Sequence, residues 1–181
     1  EGCSNFCTYC VVPYTRGPLR NRSAGSIIEE IRSAIDTGIT RITLLGQNVN
    51  AYASDGVSFI NLLGMVEALP GLTEFSFVTS HPKDTTEDLF KAMRDCQKLK
   101  KYLHLPAQSG SDRILALMNR MYTRAQYGAL VDAYRKIVPG AALSTDIIIG
   151  FPTESDADFE ATHSLIKDVL FDSAYIFKYS P

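Results

Sequence analysis

Residues 142–151 read ALSTDIIIGF, and this stretch decides the fold. It follows the helix stop Pro139-Gly140 and precedes a helical pattern that starts after Ser155. A short, nearly apolar run between such signals reads as a strand covered on both faces. The same unit recurs along the chain. Other β-rich runs lie at residues 41–46 (RITLLG), 74–80 (EFSFVTS), 102–106 (YLHLP) and 174–179 (AYIFKY).

Amphipathic helical stretches separate these runs. The first pairs Ser26 with Glu29 as a capping box, carries Ile27, Ile28, Ile31 and Ile35, and ends at Gly38. The second carries Phe59, Leu62, Leu63, Val66 and Leu69, and Pro70-Gly71 stops it. The third begins near Thr85 and stacks Leu89, Met93 and Cys96. The fourth starts at Ser111, breaks near Asn119 and restarts at Thr123 with Gln126 in capping position. The fifth follows Ser155 with Phe159, Ile166, Val169 and Leu170. Strands alternating with helices predict an α/β chain of parallel βαβ crossovers. An open (β/α) barrel fits best, and a doubly wound sheet is the competing arrangement. In either fold, ligands sit at the C-terminal ends of the strands. Four such ends carry unusual polar residues: Gly46-Gln47-Asn48, Ser80-His81-Pro82, Gln108-Ser109-Gly110-Ser111 and Gly150-Phe151-Pro152-Thr153-Glu154. They predict one shared pocket.

The chain has 181 residues, 45% of them hydrophobic, which suits one domain with its own core. No apolar run approaches the roughly 18 residues of a membrane span, and nothing resembles a signal peptide, so a cytoplasmic protein is expected. The net charge of −2 lacks the strong basic balance of a nucleic-acid module. Any RNA contact is therefore expected to be local or supplied by another domain.

Three of the four cysteines, Cys3, Cys7 and Cys10, fall in the spacing C-x₃-C-x₂-C. A cluster this tight reads as metal-binding or catalytic, not as a disulfide framework. Three thiolates on a short loop suit an iron–sulfur cluster with one iron left open. Zinc is the alternative, with His81 or His104 as fourth ligand, in a binding module without catalysis. Cys96 and His104 read as core residues and His163 as a helix-face residue. Arg16, Arg20 and Arg22 read either as a solvated loop or as contacts to phosphate.

The loop resembles the signature of the radical SAM superfamily. Its flanks, residues 1–17, resemble the methylthiotransferases of the MiaB type. So do residues 44–52 (LLGQNVNAY), 79–82 (TSHP), 104–113 (HLPAQSGSDR) and 144–152 (STDIIIGFP). The resemblance covers essentially the whole chain. It implies an open, partial (β/α)6 barrel of the radical SAM type. Cys3, Cys7 and Cys10 would hold a [4Fe–4S] cluster whose open iron binds S-adenosylmethionine. One electron from the cluster would then cleave the sulfonium bond and release a 5′-deoxyadenosyl radical. The implied product is a methylthio group on C2 of N6-isopentenyladenosine 37 of tRNA, with a reducing electron donor as second partner. Related branches modify a ribosomal-protein aspartate or threonylcarbamoyladenosine in tRNA. Gln47-Asn48-Val49-Asn50 favours the first branch.

The resemblance also implies contacts. Tyr9, Ile148 and Gly150 would lie against the adenine, and Gly46, Gln47 and Asn48 near the methionine amino group. Gln108 and Ser109 would lie near the ribose and methionine. Arg120 would pair with the methionine carboxylate and Asp146 would accept from ribose hydroxyls. Residues 1–181 would be a central domain without its first strand. An N-terminal domain with a second [4Fe–4S] cluster and a C-terminal TRAM domain belong to the full-length family members. The fragment is expected to lack complete methylthiolation. Met121, Thr153 and Ser23 depart from the family's usual Gly, Gly and Pro.

Overall fold

The computed structural model describes residues 1–180. The chain opens on the cysteine loop, which runs into the short helix α1 (Val12–Arg16). Next come α2 (Ala24–Asp36), β1 (Arg41–Leu44) and a hairpin of β2 (Ala53–Ser54) and β3 (Val57–Ser58). Then follow α3 (Phe59–Glu67), β4 (Glu74–Phe77), α4 (Glu87–Asp95) and β5 (Tyr102–His104). Helices α5 (Asp112–Leu117) and α6 (Arg124–Ile137) precede β6 (Ala142–Ile149). The chain continues through α7 (Asp156–Val169) to β7 (Ser173–Lys178).

The crossovers are parallel, as the alternation predicts. β1 pairs with β4, and β6 lies between β5 and β7. A parallel bridge from Phe75 to Leu99 joins the two groups. The sheet is open: β1 and β7 each pair on one side only. Helices cover one face. Leu143 and Ile147 of β6, with Phe75 and Phe77 of β4, are buried in the same core as Leu63, Met93, Tyr127 and Tyr134. Each buried aliphatic or aromatic chain contributes about 1.5–3 kcal/mol.

The inner face differs from expectation. β6 is not apolar on both faces. Ser144 and Asp146 alternate with the core residues and meet His104 of the neighbouring strand, at 2.8 Å and 3.3 Å. Thr43 and Ser76 pair similarly across β1 and β4. An open barrel whose mouth must hold a polar ligand can tolerate such an interior, because its polar groups satisfy one another.

Local chemistry explains the helix ends. Capping boxes start α3 (Ser58 with Asn61), α6 (Thr123 with Gln126) and α7 (Ser155 with Asp158). α2 starts three residues earlier than its sequence suggests. Ser23, not Ser26, accepts the amide of Ser26 and caps the helix. Cys96 is buried but sits at the end of α4, not within its stripe. On α7, Val169 is buried as expected and Ile166 packs against the core, but Phe159 and Leu170 are exposed, and Thr162 and Leu165 face inward instead.

Gly110 does more than break a turn. A Cβ there would lie 2.4 Å from the carbonyl oxygen of Ala161 and 2.7 Å from Cα of Thr162. These are backbone atoms of α7, so the β5–α5 loop can press against that helix only without a side chain. Gly110→Ala should lower stability by about 3 kcal/mol, read from the urea midpoint. An unchanged midpoint would mean that α7 moves away freely.

Met121 and Thr153 stand where the family usually has glycine, and both are left-handed, with φ of 59° and 69°. Side chains with a Cβ are strained there. Met121 is largely exposed, so Met121→Gly loses little packing. It should raise stability by about 1 kcal/mol, measured by the same denaturation; a drop would show that Met121 is held by contacts.

Candidate cofactor site

The cysteine loop is anchored at both ends. The amide of Cys3 donates to the Gly17 carbonyl at 3.1 Å, and the amide of Arg20 to the Glu1 carbonyl at 2.7 Å. Gly2 allows this return, since a Cβ there would lie 2.1 Å from the Pro18 carbonyl oxygen. The loop tip is tied to the segment after α5. The Thr8 amide donates to the Met118 carbonyl, and its hydroxyl to the Leu117 carbonyl. Asn119, left-handed at φ 56°, donates its amide to the carbonyls of Asn5 and Phe6. The break near Asn119 therefore builds the seat of the cysteine loop.

All three loop cysteines are free thiols; Cys7 is buried, while Cys3 and Cys10 are partly exposed. Among the described residues, no three His, Cys, Asp or Glu side chains converge as ligands of a single ion. His81 and His104 are accordingly not gathered with the cysteines as zinc ligands. A cubic cluster takes its cysteine ligands on different irons, and three thiols on one anchored loop suit such a group.

Arg120 lies beneath the loop and is only 4% exposed. Its Nη1 donates to Cys7 Sγ at 3.5 Å and to Tyr9 Oη at 3.3 Å. Its Nε donates to Tyr122 Oη at 3.0 Å and its Nη2 to the Pro106 carbonyl at 3.0 Å. Burial works against its charge, and the hydrogen bond to Tyr122 favours it; as an arginine it stays protonated. Burial pushes the Tyr9 and Tyr122 phenols up, so both stay neutral.

The strand ends are brought to the same region in part. Gln108 adopts φ 68°, donates its backbone amide to the Asp146 carbonyl at 2.8 Å, and its carbonyl accepts the Ile148 amide at 2.9 Å. This fixes Gln108, Asp146 and Ile148 side by side. Ile148 joins Tyr9 in a small cluster around Ile114, Met118 and Phe151, which unites two expected adenine contacts. Gly150 has φ 76° with open space where a Cβ would be, so its backbone is free for close approach. Ser109 departs from expectation. Its hydroxyl meets Thr162 of α7 at 3.2 Å and accepts the Ser111 amide, and the residue is 1% exposed. The turn that lets Gly110 touch α7 takes Ser109 with it.

Gly46, Gln47 and Asn48 lie further off. They line a cavity of about 550 Å³ along the free edge of β1, together with residues of α2 and Leu19–Arg22 side chains. Gln108, Arg120 and Asp146 do not line it. Asn48 donates to Asp84 at 2.6 Å, and its Oδ1 is buried without a partner. Gln108 Oε1 is likewise buried and unpartnered. Buried acceptors normally have donors, so an ammonium or hydroxyl group would satisfy each. The residues present therefore fit a ligand with the donor groups of S-adenosylmethionine.

Some site residues escaped sequence reasoning. Tyr122 donates to the carbonyls of Pro106 and Ala107 and holds Arg120 from below. Asn50 clamps His81, donating to its carbonyl and accepting its amide, both at 3.0 Å. His104 supports Asp146. The only signal for Tyr122 was an aromatic residue inside a polar connection.

His81 is buried with its Nδ1 accepting the Lys83 amide and its Nε2 unpartnered. Burial, then Arg120 and Lys83, lower its pKa to about 3. The unfolded chain binds this proton near pH 6.5 and the folded chain does not, so stability falls as pH drops between those values. From pH 7 to pH 5 the loss from this group should be about 2 kcal/mol. His81→Asn should remove that part of the loss in urea titrations at the two pH values. An equal loss in the variant would contradict a neutral His81.

The radical SAM superfamily matches residues 1–166, and the chain belongs to it. Within that class it is similar to tRNA-modifying members. It is 52% identical to the tRNA-2-methylthio-N(6)-dimethylallyladenosine synthase of Acetivibrio thermocellus, over 99% of this chain and 38% of that protein. The protein of the same name in Moorella thermoacetica is 49% identical over 99% of the chain and 41% of its own length. The chain thus spans about two-fifths of these relatives. Among solved structures, the radical S-adenosylmethionine methyltransferase TsrM of Kitasatospora setae, bound to cobalamin and a [4Fe-4S] cluster, aligns with a TM-score of 0.78 at 17% identity. That alignment covers 98% of this chain and 35% of TsrM. Coproporphyrinogen III oxidase (HemN) of Escherichia coli, a radical SAM enzyme, aligns with 0.68 at 15% identity, over 99% of this chain and 42% of its own. At such identities these likenesses show the fold, and they bear out the partial barrel over the doubly wound sheet.

Proposed function

We propose that the chain is the catalytic core of a tRNA methylthiotransferase acting on C2 of N6-isopentenyladenosine 37. The observation that carries this is identity of about half the residues, across 99% of the chain, to synthases of that name. Cys3, Cys7 and Cys10 would hold a [4Fe–4S] cluster with one open iron. When bound, that cluster supplies the electron for reductive cleavage of S-adenosylmethionine.

The chain's own residues then orient the cofactor. Asp146, backed by His104, offers its carboxylate to ribose hydroxyls, and Gln108 Oε1 accepts beside it. Tyr9 and Ile148 pack on the adenine, and the Gly150 backbone approaches it. The remaining Nη2 proton of Arg120 is available to the methionine carboxylate, since a guanidinium fork has five donors. Gly46, Gln47 and Asn48 complete the methionine end if the β1 strand end closes toward it. The aromatic residues around the loop exclude water from the reacting bond. In the full-length protein, a second cluster domain, a TRAM domain, the tRNA anticodon loop and an electron donor would complete the reaction. Among the described residues no helix is long and apolar enough to cross a membrane, and a cytoplasmic enzyme is proposed.

Anaerobic reconstitution with iron and sulfide tests the reading. About four irons per chain should bind, with a broad absorbance near roughly 400 nm that dithionite bleaches. S-adenosylmethionine with reductant should then yield 5′-deoxyadenosine. Stoichiometric zinc without that chromophore, or a Cys7→Ala variant holding a full cluster, would contradict it.

A further inference from the structure

Before any S-adenosylmethionine binds, Arg120 presents an electrostatic problem. It is 4% exposed, yet among the described residues no carboxylate lies within ion-pair distance of it. Buried charges are normally paired. Its other neighbours cannot supply a negative charge. Tyr122 donates its own proton to the Pro106 and Ala107 carbonyls. Tyr9 is a phenol that accepts from Nη1 at 3.3 Å. Pro106 offers a carbonyl dipole only. His81, against the other side of Tyr122, is held neutral. The neighbour that would join a cluster as a ligand is Cys7, whose Sγ lies 3.5 Å from Arg120 Nη1.

The contact also has a direction. One Nη1 group faces both Cys7 Sγ and Tyr9 Oη, while Nε and Nη2 are held by Tyr122 and Pro106. The guanidinium is thus fixed in place and presents an N–H to sulfur. A ligating sulfur that receives a hydrogen bond from a fixed cation stabilises the more reduced, more negative form of its cluster. In a buried setting that effect is only weakly screened.

We propose that Arg120 is the counter-charge of the cluster, a positioning residue that raises the cluster's affinity for its electron before any S-adenosylmethionine binds. This rests on the reading that Cys3, Cys7 and Cys10 hold a [4Fe–4S] cluster. Tyr122 and Pro106 are the frame that keeps the charge in place. Arg120→Met removes the charge while keeping apolar bulk, and Arg120→Lys keeps the charge without the planar fork.

The test is a redox titration of the reconstituted chain with dithionite, without S-adenosylmethionine, followed by the electron paramagnetic resonance of the reduced cluster. Arg120→Met should bind the electron about tenfold more weakly, a midpoint about 59 mV more negative. Arg120→Lys should stay within about threefold of the parent. A Met variant with parental iron content and a parental midpoint overturns the proposal. A Met variant that keeps the parental circular dichroism but loads no cluster, while the Lys variant loads fully, supports it. Failure of both variants to load despite parental circular dichroism overturns it, because charge alone then does not suffice. Should the Met variant not fold, Arg120→Lys decides alone: a tenfold or larger change in electron affinity, or a folded chain that loads no cluster, overturns the proposal, and a midpoint within threefold supports it. A parent chain that binds no iron instead refutes the underlying cluster assignment.

Discussion

The buried guanidinium of Arg120 is the constraint around which the site is organised. It joins the cysteine loop, through Cys7 and Tyr9, to the end of β5, through Pro106 and Tyr122. A charge this deep requires hydrogen bonds on every side, and the chain supplies them from residues far apart in sequence. The left-handed Asn119 delivers Arg120 to this place and also ties down the loop tip. The helix break between α5 and α6 is therefore part of the site's architecture, not a flaw in a long helix.

A second constraint is the continuation of the β5–β6 ladder past the end of β5. Gln108 bridges to Ile147 in a left-handed conformation, its backbone bonded to those of Asp146 and Ile148. The inner face of β6 is polar. Ser144, His104 and Asp146 form a hydrogen-bonded row that ends where a ligand's hydroxyl groups would arrive. Behind the ladder, Gly110 and Thr162 let α7 press close and fix the loop that carries Gln108. Packing on the outer face thus sets polar geometry on the inner one.

Much of this was legible in the sequence. The alternation of β-rich runs with capped helices defines the element order, because Ser, Thr, Pro and Gly mark the ends chemically. Met121 and Thr153, which stand in place of the family's glycines, are left-handed, but Gln108 and Asn119 adopt the same conformation without any such sign in the sequence. What was not legible depends on contacts across the chain. Nothing local says that Ser109 faces α7, that Tyr122 supports Arg120, or that Asn50 clamps His81. The start of α2 was misread because Ser23 and Ser26 both offer a hydroxyl, and only the chain path through Arg22 and the strand return selects the first. The polar inner face of β6 was hidden by its flanking isoleucines, which point both inward and outward.

The account's central claim is that the cysteine loop and the polar ends of β5 and β6 form one pocket for S-adenosylmethionine. Equilibrium binding of S-adenosylmethionine to the cluster-loaded chain tests this most directly, with the parent compared to Asp146→Ala. The account predicts at least about tenfold weaker binding in the variant, or about 1.4 kcal/mol, at unchanged iron content. Equal affinity in the two proteins would contradict it.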